Sequence, residues 1–265
     1  MNYEEIKLEF VDRVAVLTLN NPAVLNAISR KMIIEMTDAV GWVEDPAQGA
    51  RCLLLTGAGR AFSAGANLND PDRQTTKELR PDTDYVLEKW YNPLFQRLSE
   101  LPMPVITAIN GVAAGVGMSF ALAGDMALAA RSAYFLQAFR RIGLIPDGGA
   151  TFTLTHLIGK MRTMELMLLG EKLPVEKALE WGMINRIYDD EALMPEAMTL
   201  ARALADGPTL ALGMMRRACW LALDNRYIEQ LWVERHYQMK AGQSEDFQEG
   251  VAAFREKRPA KFKGK

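Results

Sequence analysis

Histidine and cysteine are nearly missing from this 265-residue chain, which holds two of each. Cys52 and Cys219 stand in neither a C-x-x-C pair nor a metal-ligand spacing. Both lie among apolar neighbours, so reduced core thiols are expected. His156 and His236 are isolated from each other and from any cysteine, which argues against a zinc site, and no metal is expected. No apolar run approaches the ~20 residues that a membrane span needs. The start, MNYEEIKLEF, is acidic and strand-like, unlike a targeting peptide, so a cytoplasmic protein with no membrane partner is expected. A strong charge of either sign is also lacking: the net charge is −2, and no nucleic-acid partner is implied. The one basic concentration is the tail, Arg255 to Lys265, which reads either as a solvated end or as a patch for a phosphate-bearing ligand.

What is present is an ordinary globular composition, 49% apolar and 24% charged, on a chain long enough to bury a large core. Residues 5–10 and 13–20 read as a hairpin turning at Asp12-Arg13. A helix capped by Ser29 is predicted to run to Glu44, with Ile33, Met36, Val40 and Val43 on one face. RCLLLT (51–56), PVITAIN (104–110) and MALAA (126–130) read as buried strands. Between them come a glycine-rich loop at 57–68, a polar segment at 69–84 with Pro71 and Pro81, and an amphipathic helix over 85–100. Its aromatic stripe, like Met161, Met164 and Met167, is read as core packing. After the second strand, GVAAGVGMSFALAGD predicts a helix so rich in small residues that something must approach its backbone closely. Beyond 159 the pattern is nearly all helical, with starts at Leu173-Pro174, Pro195, Pro208 and Asn225, and one short strand at 184–188. The expected division is a core at 1–205 and a helical region at 206–265.

Familiar sites are demoted one by one. Neither Gly57-Ala58-Gly59 nor Gly115-Val116-Gly117 completes a dinucleotide fingerprint. Ala61-Phe62-Ser63-Ala64-Gly65 is one residue short of a nucleophile elbow, and Asp147 and His156 follow in hydrolase order. An elbow turns straight from strand to helix, however, and six residues separate Thr56 from Ser63. What remains is two glycine-rich loops, each following a buried strand. Such loops can aim main-chain N–H groups at one point and stabilise an oxyanion, each donor contributing roughly 3–4 kcal/mol. A thioester whose carbonyl becomes an enolate suits that arrangement, with a single carboxylate as the base.

AFSAGANL, NGVAAGVG, LGEKLPVEKALEWG and the final EGVAAFREKR segment together resemble the crotonase family, the enoyl-CoA hydratases and isomerases, over nearly the whole chain. The resemblance implies an α/β fold, a spiral of repeated ββα units with a helical C-terminal trimerisation region. It also implies an acyl-CoA thioester as substrate, no cofactor beyond the CoA that the substrate carries, and a homotrimer or hexamer. Carried onto this sequence, the family's oxyanion donors are the amides of Ala66 and Val116; valine in place of the usual glycine keeps the amide and narrows the pocket. Ala64, Gly65, Asn67 and Leu68 would line the acyl or pantetheine channel. Leu25, Asn26 and Ala27 match the CoA-contacting segment, and Phe262 and Lys265 the nucleotide end, from a neighbouring subunit. The hydratases' two glutamates fall on Ser119 and Phe139, so two-glutamate hydration is not expected.

Branches of the family that lack both glutamates place a functional aspartate where this chain has Asp147. RCLLLTGAGR, YNPLFQRL, GLIPD and the EGVAAF tail resemble the branch that isomerises ring-epoxidised phenylacetyl-CoA and shifts double bonds in unsaturated acyl-CoAs. Pro146-Asp147-Gly148 is equally the chemistry of a surface turn. If the carboxyl is instead desolvated by Leu144, Ile145, Pro146 and Phe139, its pKa rises and its anion becomes a stronger base. An isomerase with Asp147 as base is the leading expectation. Hydration, 4-halobenzoyl-CoA dehalogenation, thioester hydrolysis and a non-catalytic CoA-binding module are the alternatives.

Overall fold

The computed structural model describes residues 2–72, 75 and 81–265. Strands β1 (Ile6–Val11) and β2 (Val14–Leu19) pair antiparallel across Asp12 and Arg13. Both turn residues have positive φ, the twist that a two-residue hairpin requires. Ser29 accepts from Met32 N at 3.0 Å and starts α1 (Arg30–Glu44), whose predicted face is buried. Next come β3 (Cys52–Gly57) and β4 (Ala61–Ser63), then α2 (Thr83–Val86), a π-helical turn at Leu87–Tyr91, and α3 (Asn92–Glu100). The pattern repeats as β5 (Val105–Ile109), β6 (Val112–Ala114) and α4 (Val116–Ala121), and again as β7 (Met126–Ala130), β8 (Tyr134–Leu136) and α5 (Ala150–Leu169). The chain continues with β9 (Lys172–Pro174), α6 (Val175–Glu180), β10 (Arg186–Tyr188), α7 (Asp190–Ala205), α8 (Thr209–Ala222), α9 (Tyr227–Ala241) and α10 (Glu245–Glu256).

Two sheets result. The larger runs β1-β2-β3-β5-β7-β10, parallel after its first pair, and the smaller runs β4-β6-β8-β9. Each repeat therefore sends one strand to each sheet before its helix, and the chain spirals through ββα units as expected. Strands β3 and β5 are buried on both faces because α7 covers the large sheet with Leu193, Ala197, Ala201 and Ala205.

The smaller sheet is the main departure from the sequence reading. Its strands have three residues each, too short to show a period of two, and β4 and β6 lie inside the glycine-rich loops. The helix predicted across GVAAGVGMSFALAGD is correspondingly split into β6 and the short α4. Helix α7 begins at Asp190, not at Pro195. Asp190 and Glu191 occupy its first turn, where acidic groups favour the helix N-terminus, and Pro195 is accommodated inside.

Arg216, on α8, is 7% exposed and ties the later helices to the sheets. Its Nε donates to both Asp125 oxygens at 2.6 and 2.7 Å, and its Nη groups donate to the carbonyls of Leu98, Ser99 and Leu101. Asp125 also accepts from Val105 N at 2.7 Å, where β5 begins. Removing the arginine would strip the Leu98 and Leu101 carbonyls of a buried donor, while Asp125, which water reaches, would lose its partner without being stranded. Arg216→Ala is expected to lower stability by about 1–3 kcal/mol, read as a fall in the denaturant midpoint. An unchanged midpoint would show that the pair is dispensable.

Candidate active site

The first glycine-rich loop is shaped by Asn26, which is fully buried in a left-handed conformation with φ 53°. Its Nδ2 donates to the carbonyls of Ala58, Ala61 and Phe62, and its Oδ1 accepts from Asn21 N. Ser63 donates to the Asn26 carbonyl at 2.8 Å and accepts from Gly65 N at 3.2 Å. Ile28 N donates to Gly65 O, and Asn67 N donates to Ile28 O. These two bonds bracket Ala66, so its own N–H faces away from Ile28. No acceptor engages it among the described residues.

The second loop is organised by Gly115, at φ 52° and ψ −130°, which only glycine adopts freely. The amide of Val116 opens α4 and is one of the first-turn donors without a partner in its own helix. The loops touch. A Cβ on Gly65 would lie 2.8 Å from Ala114 O, and one on Gly115 would lie 3.9 Å from Gly65 Cα. The N–H groups that follow these two glycines, of Ala66 and Val116, both belong to the wall of one cavity of about 570 Å³. The backbone approach expected at the small-residue helix is Ser63: a Cβ on Gly117 would sit 2.6 Å from Ser63 O.

Asp147 lines the same cavity. Its main chain is clamped, with Ser119 Oγ donating to its carbonyl at 3.0 Å and Ala150 N at 3.1 Å. Gly148 permits this: at φ 58°, a Cβ would strike the Phe95 ring at 2.6 Å and Ser119 Cβ at 2.9 Å. The Phe95 ring in turn stacks on Phe120 at 4.3 Å. The side chain is left alone. Oδ1 is sealed from solvent and has no hydrogen-bond partner. Burial pushes the carboxyl pKa up to about 6, opposed only by the residue's own amide. The source of that desolvation differs in part from the sequence reading. Phe139 is a buried wall of the cavity as expected, whereas Leu144 and Ile145 line it while 43% and 83% exposed, and Trp90 and Tyr91 are wall residues not foreseen as a source.

Of the other anticipated residues, Ala64, Gly65, Asn67, Leu68 and Phe139 line the cavity, and Val116, 1% exposed, adds to its wall from the core. Ser119 does not line it; its hydroxyl is engaged by Asp147, which makes it a positioning residue and not a substrate contact. Leu25, Asn26 and Ala27 do not line the cavity; the Asn26 carboxamide is held by loop carbonyls, and Leu25 O accepts from Ala64 N. In this chain Phe262 O accepts from Arg51, and Lys265 O accepts from Asp246 N; neither residue lines the cavity. Asp70, Asp72, Pro81, Asp82 and Thr83 do line it, while residues 73–74 and 76–80 of the expected wall loop lie outside the described residues. Trp90 and Tyr91, read from the sequence as core packing, do pack with the core and also line the cavity. The hydrolase arrangement is not formed, since Ser63 faces Asn26 and His156 is exposed against the Phe152 carbonyl.

Residues 9–265 match the Enoyl-CoA hydratase/isomerase family. The chain is 48% identical to a protein of Escherichia coli (strain K12) named 1,2-epoxyphenylacetyl-CoA isomerase, over 98% of this chain and 99% of that one. It is 41% identical, over the full length of both, to a Rhodobacter capsulatus protein named "Probable enoyl-CoA hydratase". The crystal structure of an enoyl-CoA hydratase from Bacillus anthracis superimposes with a TM-score of 0.92 at 28% identity, over 99% of this chain and all of that one. With two main-chain amides and a lone carboxylate around one cavity on this fold, the chain belongs to the enoyl-CoA hydratase/isomerase family, the crotonases.

Proposed function

We propose that this chain is an acyl-CoA isomerase that moves a proton, and with it a double bond, in an unsaturated or ring-epoxidised CoA thioester. The observation that carries this reading is Asp147 Oδ1, buried without a partner beside two unengaged amides. The Asp147 carboxylate takes a proton from the carbon next to the thioester carbonyl. The C–H electron pair moves into an enolate, whose oxygen is held by the Ala66 and Val116 amides. Asp147 then returns the same proton to a carbon farther along the acyl group, and the carbonyl re-forms. One base suffices and nothing is consumed, so the reaction needs no cofactor beyond the CoA of the substrate. The relative at 48% identity supports a ring-epoxidised phenylacetyl group as the substrate acyl. Hydration by a carboxylate pair finds no support, since Ser119 and Phe139 stand where the second acid and base belong.

We also assign residues 206–265 as an oligomerisation region, in a trimer or a dimer of trimers. No residue of α9 is buried, and Ile228, Leu231, Trp232 and Met239 form an apolar stripe along it, while Met161 and Leu168 on α5 and Phe254 on α10 are also exposed. CoA contacts by Leu25–Ala27, and by Phe262 and Lys265 of a neighbouring copy, belong to the same proposal. Among the described residues no helix is long and apolar enough to cross a membrane. With both cysteines free, a cytoplasmic setting is our reading.

Asp147→Asn is expected to reduce turnover of a 3-enoyl-CoA by roughly 10²–10⁴-fold with the fold intact. In deuterated water the wild type should place label at the α or γ carbon; its absence from both would discard the proton shuttle. Activity and stability should depend on pH in opposite senses. The base must be ionised, so kcat/KM should rise with pH through about 6 and then level. The folded pKa lies above the unfolded value of about 3.9, so ionisation costs folded-state stability as pH climbs from about 4 to 6. Asp147→Asn should match the wild type in stability below pH 4 and exceed it above pH 6, by on the order of 2–3 kcal/mol. A variant less stable than the wild type at pH 8 would contradict the buried, unpaired carboxylate. Light scattering should return three or six chain masses, reduced by Trp232→Arg; a wild-type monomer at micromolar concentration would remove the oligomerisation assignment.

A further inference from the structure

The π-helical turn at Leu87–Tyr91 stands apart from every other helical segment described. Pro93 has no N–H to close an α-turn onto Lys89, and the Asn92 amide instead donates to Leu87 O, five residues back. The widened turn brings Val86, Leu87, Trp90 and Tyr91 together onto the cavity wall. Such turns cost helix stability and recur where function requires a particular side chain at a particular place.

Tyr91 is that side chain. It is 7% exposed and packs against Phe120 at 6.5 Å, in a cluster whose other rings, Phe95, Phe120 and Phe139, carry no hydroxyl. Phenylalanine would satisfy the packing equally. The Tyr91 hydroxyl has no hydrogen-bond partner among the described residues, and unlike Asp147 Oδ1 it is not sealed off, so it opens onto the cavity. Burial raises the phenol pKa, and the charges of Asp147 and Asp70 raise it further, which keeps the group a neutral donor and places it within electrostatic reach of the base. It does not hold Asp147, whose Oδ1 is unpartnered. A hydroxyl that opens onto the cavity and is held by no protein acceptor is free to donate to a bound ligand.

We propose that Tyr91 is a specificity-determining residue that donates a hydrogen bond to an oxygen atom in the acyl group, so that the enzyme selects acyl groups carrying a ring ether or epoxide oxygen over their all-carbon counterparts. This rests on the isomerase reading for the site but concerns binding alone, and it is tested without turnover. Two isosteres that carry no oxygen on the β carbon, and so cannot eliminate from an enolate, serve as probes: tetrahydropyran-3-ylacetyl-CoA, with an oxygen in the ring one carbon away from the substituted carbon, and cyclohexylacetyl-CoA, with a methylene there. Calorimetry on the wild type should show the ether binding roughly 3–10-fold tighter, the size of one net neutral hydrogen bond. In Tyr91→Phe that preference should vanish while the carbocycle binds as before, which also reports an intact pocket. Equal binding of the two probes by the wild type, a preference that survives in Tyr91→Phe, or a variant that loses both ligands alike would each overturn the proposal. Failure of the isomerase reading would show separately, as absent isotope exchange with the ether preference still present.

Discussion

The site depends on two stretches of main chain being pressed together at two glycines, Gly65 with no room for a side chain and Gly115 with a backbone conformation that disfavours one. Gly65 lies against the Ala114 carbonyl, and Gly115 faces Gly65 across van der Waals distance. The amides that follow them, of Ala66 and Val116, are fixed by what their neighbours do. The Ala66 N–H is free because Gly65 and Asn67 are both bonded to Ile28, and the Val116 N–H is free because a helix starts there. Under the proposed reaction, two such amides would receive a developing oxyanion without a charged group and with little reorganisation. The small sheet exists to hold them. β4 and β6 pair directly, bringing the loop that each one opens to the same spot.

Asp147 is placed by contacts that avoid its carboxylate. Ser119 and Ala150 grip its carbonyl, Gly148 lies on the Phe95 ring, and the stacked Phe95 and Phe120 back the loop. Each fixes the main chain and leaves the acid oxygens to the cavity. An additional donor to the carboxylate would stabilise its anion and lower its basicity. The unpaired Oδ1 is therefore a local cost, carried by a core that buries β3 and β5 on both faces. Strain and unsatisfied groups persist where the surroundings over-determine them.

The large sheet and its helices were legible because their signals are long. Five buried positions in β5, the Ser29 cap and the Asp12-Arg13 turn each follow from local chemistry. The proposed base and the two proposed donor amides could be singled out only through motifs, since no periodicity marks a main-chain donor. The three-residue strands escaped notice because their pairing partners lie about 50 residues away in the chain for β4 and β6, a separation that local patterns do not encode. Asn26 illustrates the same limit. From the sequence it is a polar residue near a ligand segment; in the fold its carboxamide braces three carbonyls of the oxyanion loop. Trp90 and Tyr91 passed as core because a stripe at helical spacing does not show which neighbour is a cavity. Pro93 was the available signal, since it denies the preceding turn an α-helical bond.

Ser119 explains how one framework changes chemistry. A glutamate there, as in the hydratases that this chain resembles, would put a second carboxylate beside Asp147 in a desolvated cavity. Two like charges so placed cannot both ionise near neutral pH, and one would be driven to hold its proton. That suits acid–base work on a water molecule, where one group gives a proton and the other takes one. A shuttle that returns the proton it removed needs a single group free to be ionised before the step and protonated during it. Serine removes the competing charge, and its hydroxyl instead holds the Asp147 carbonyl at 3.0 Å.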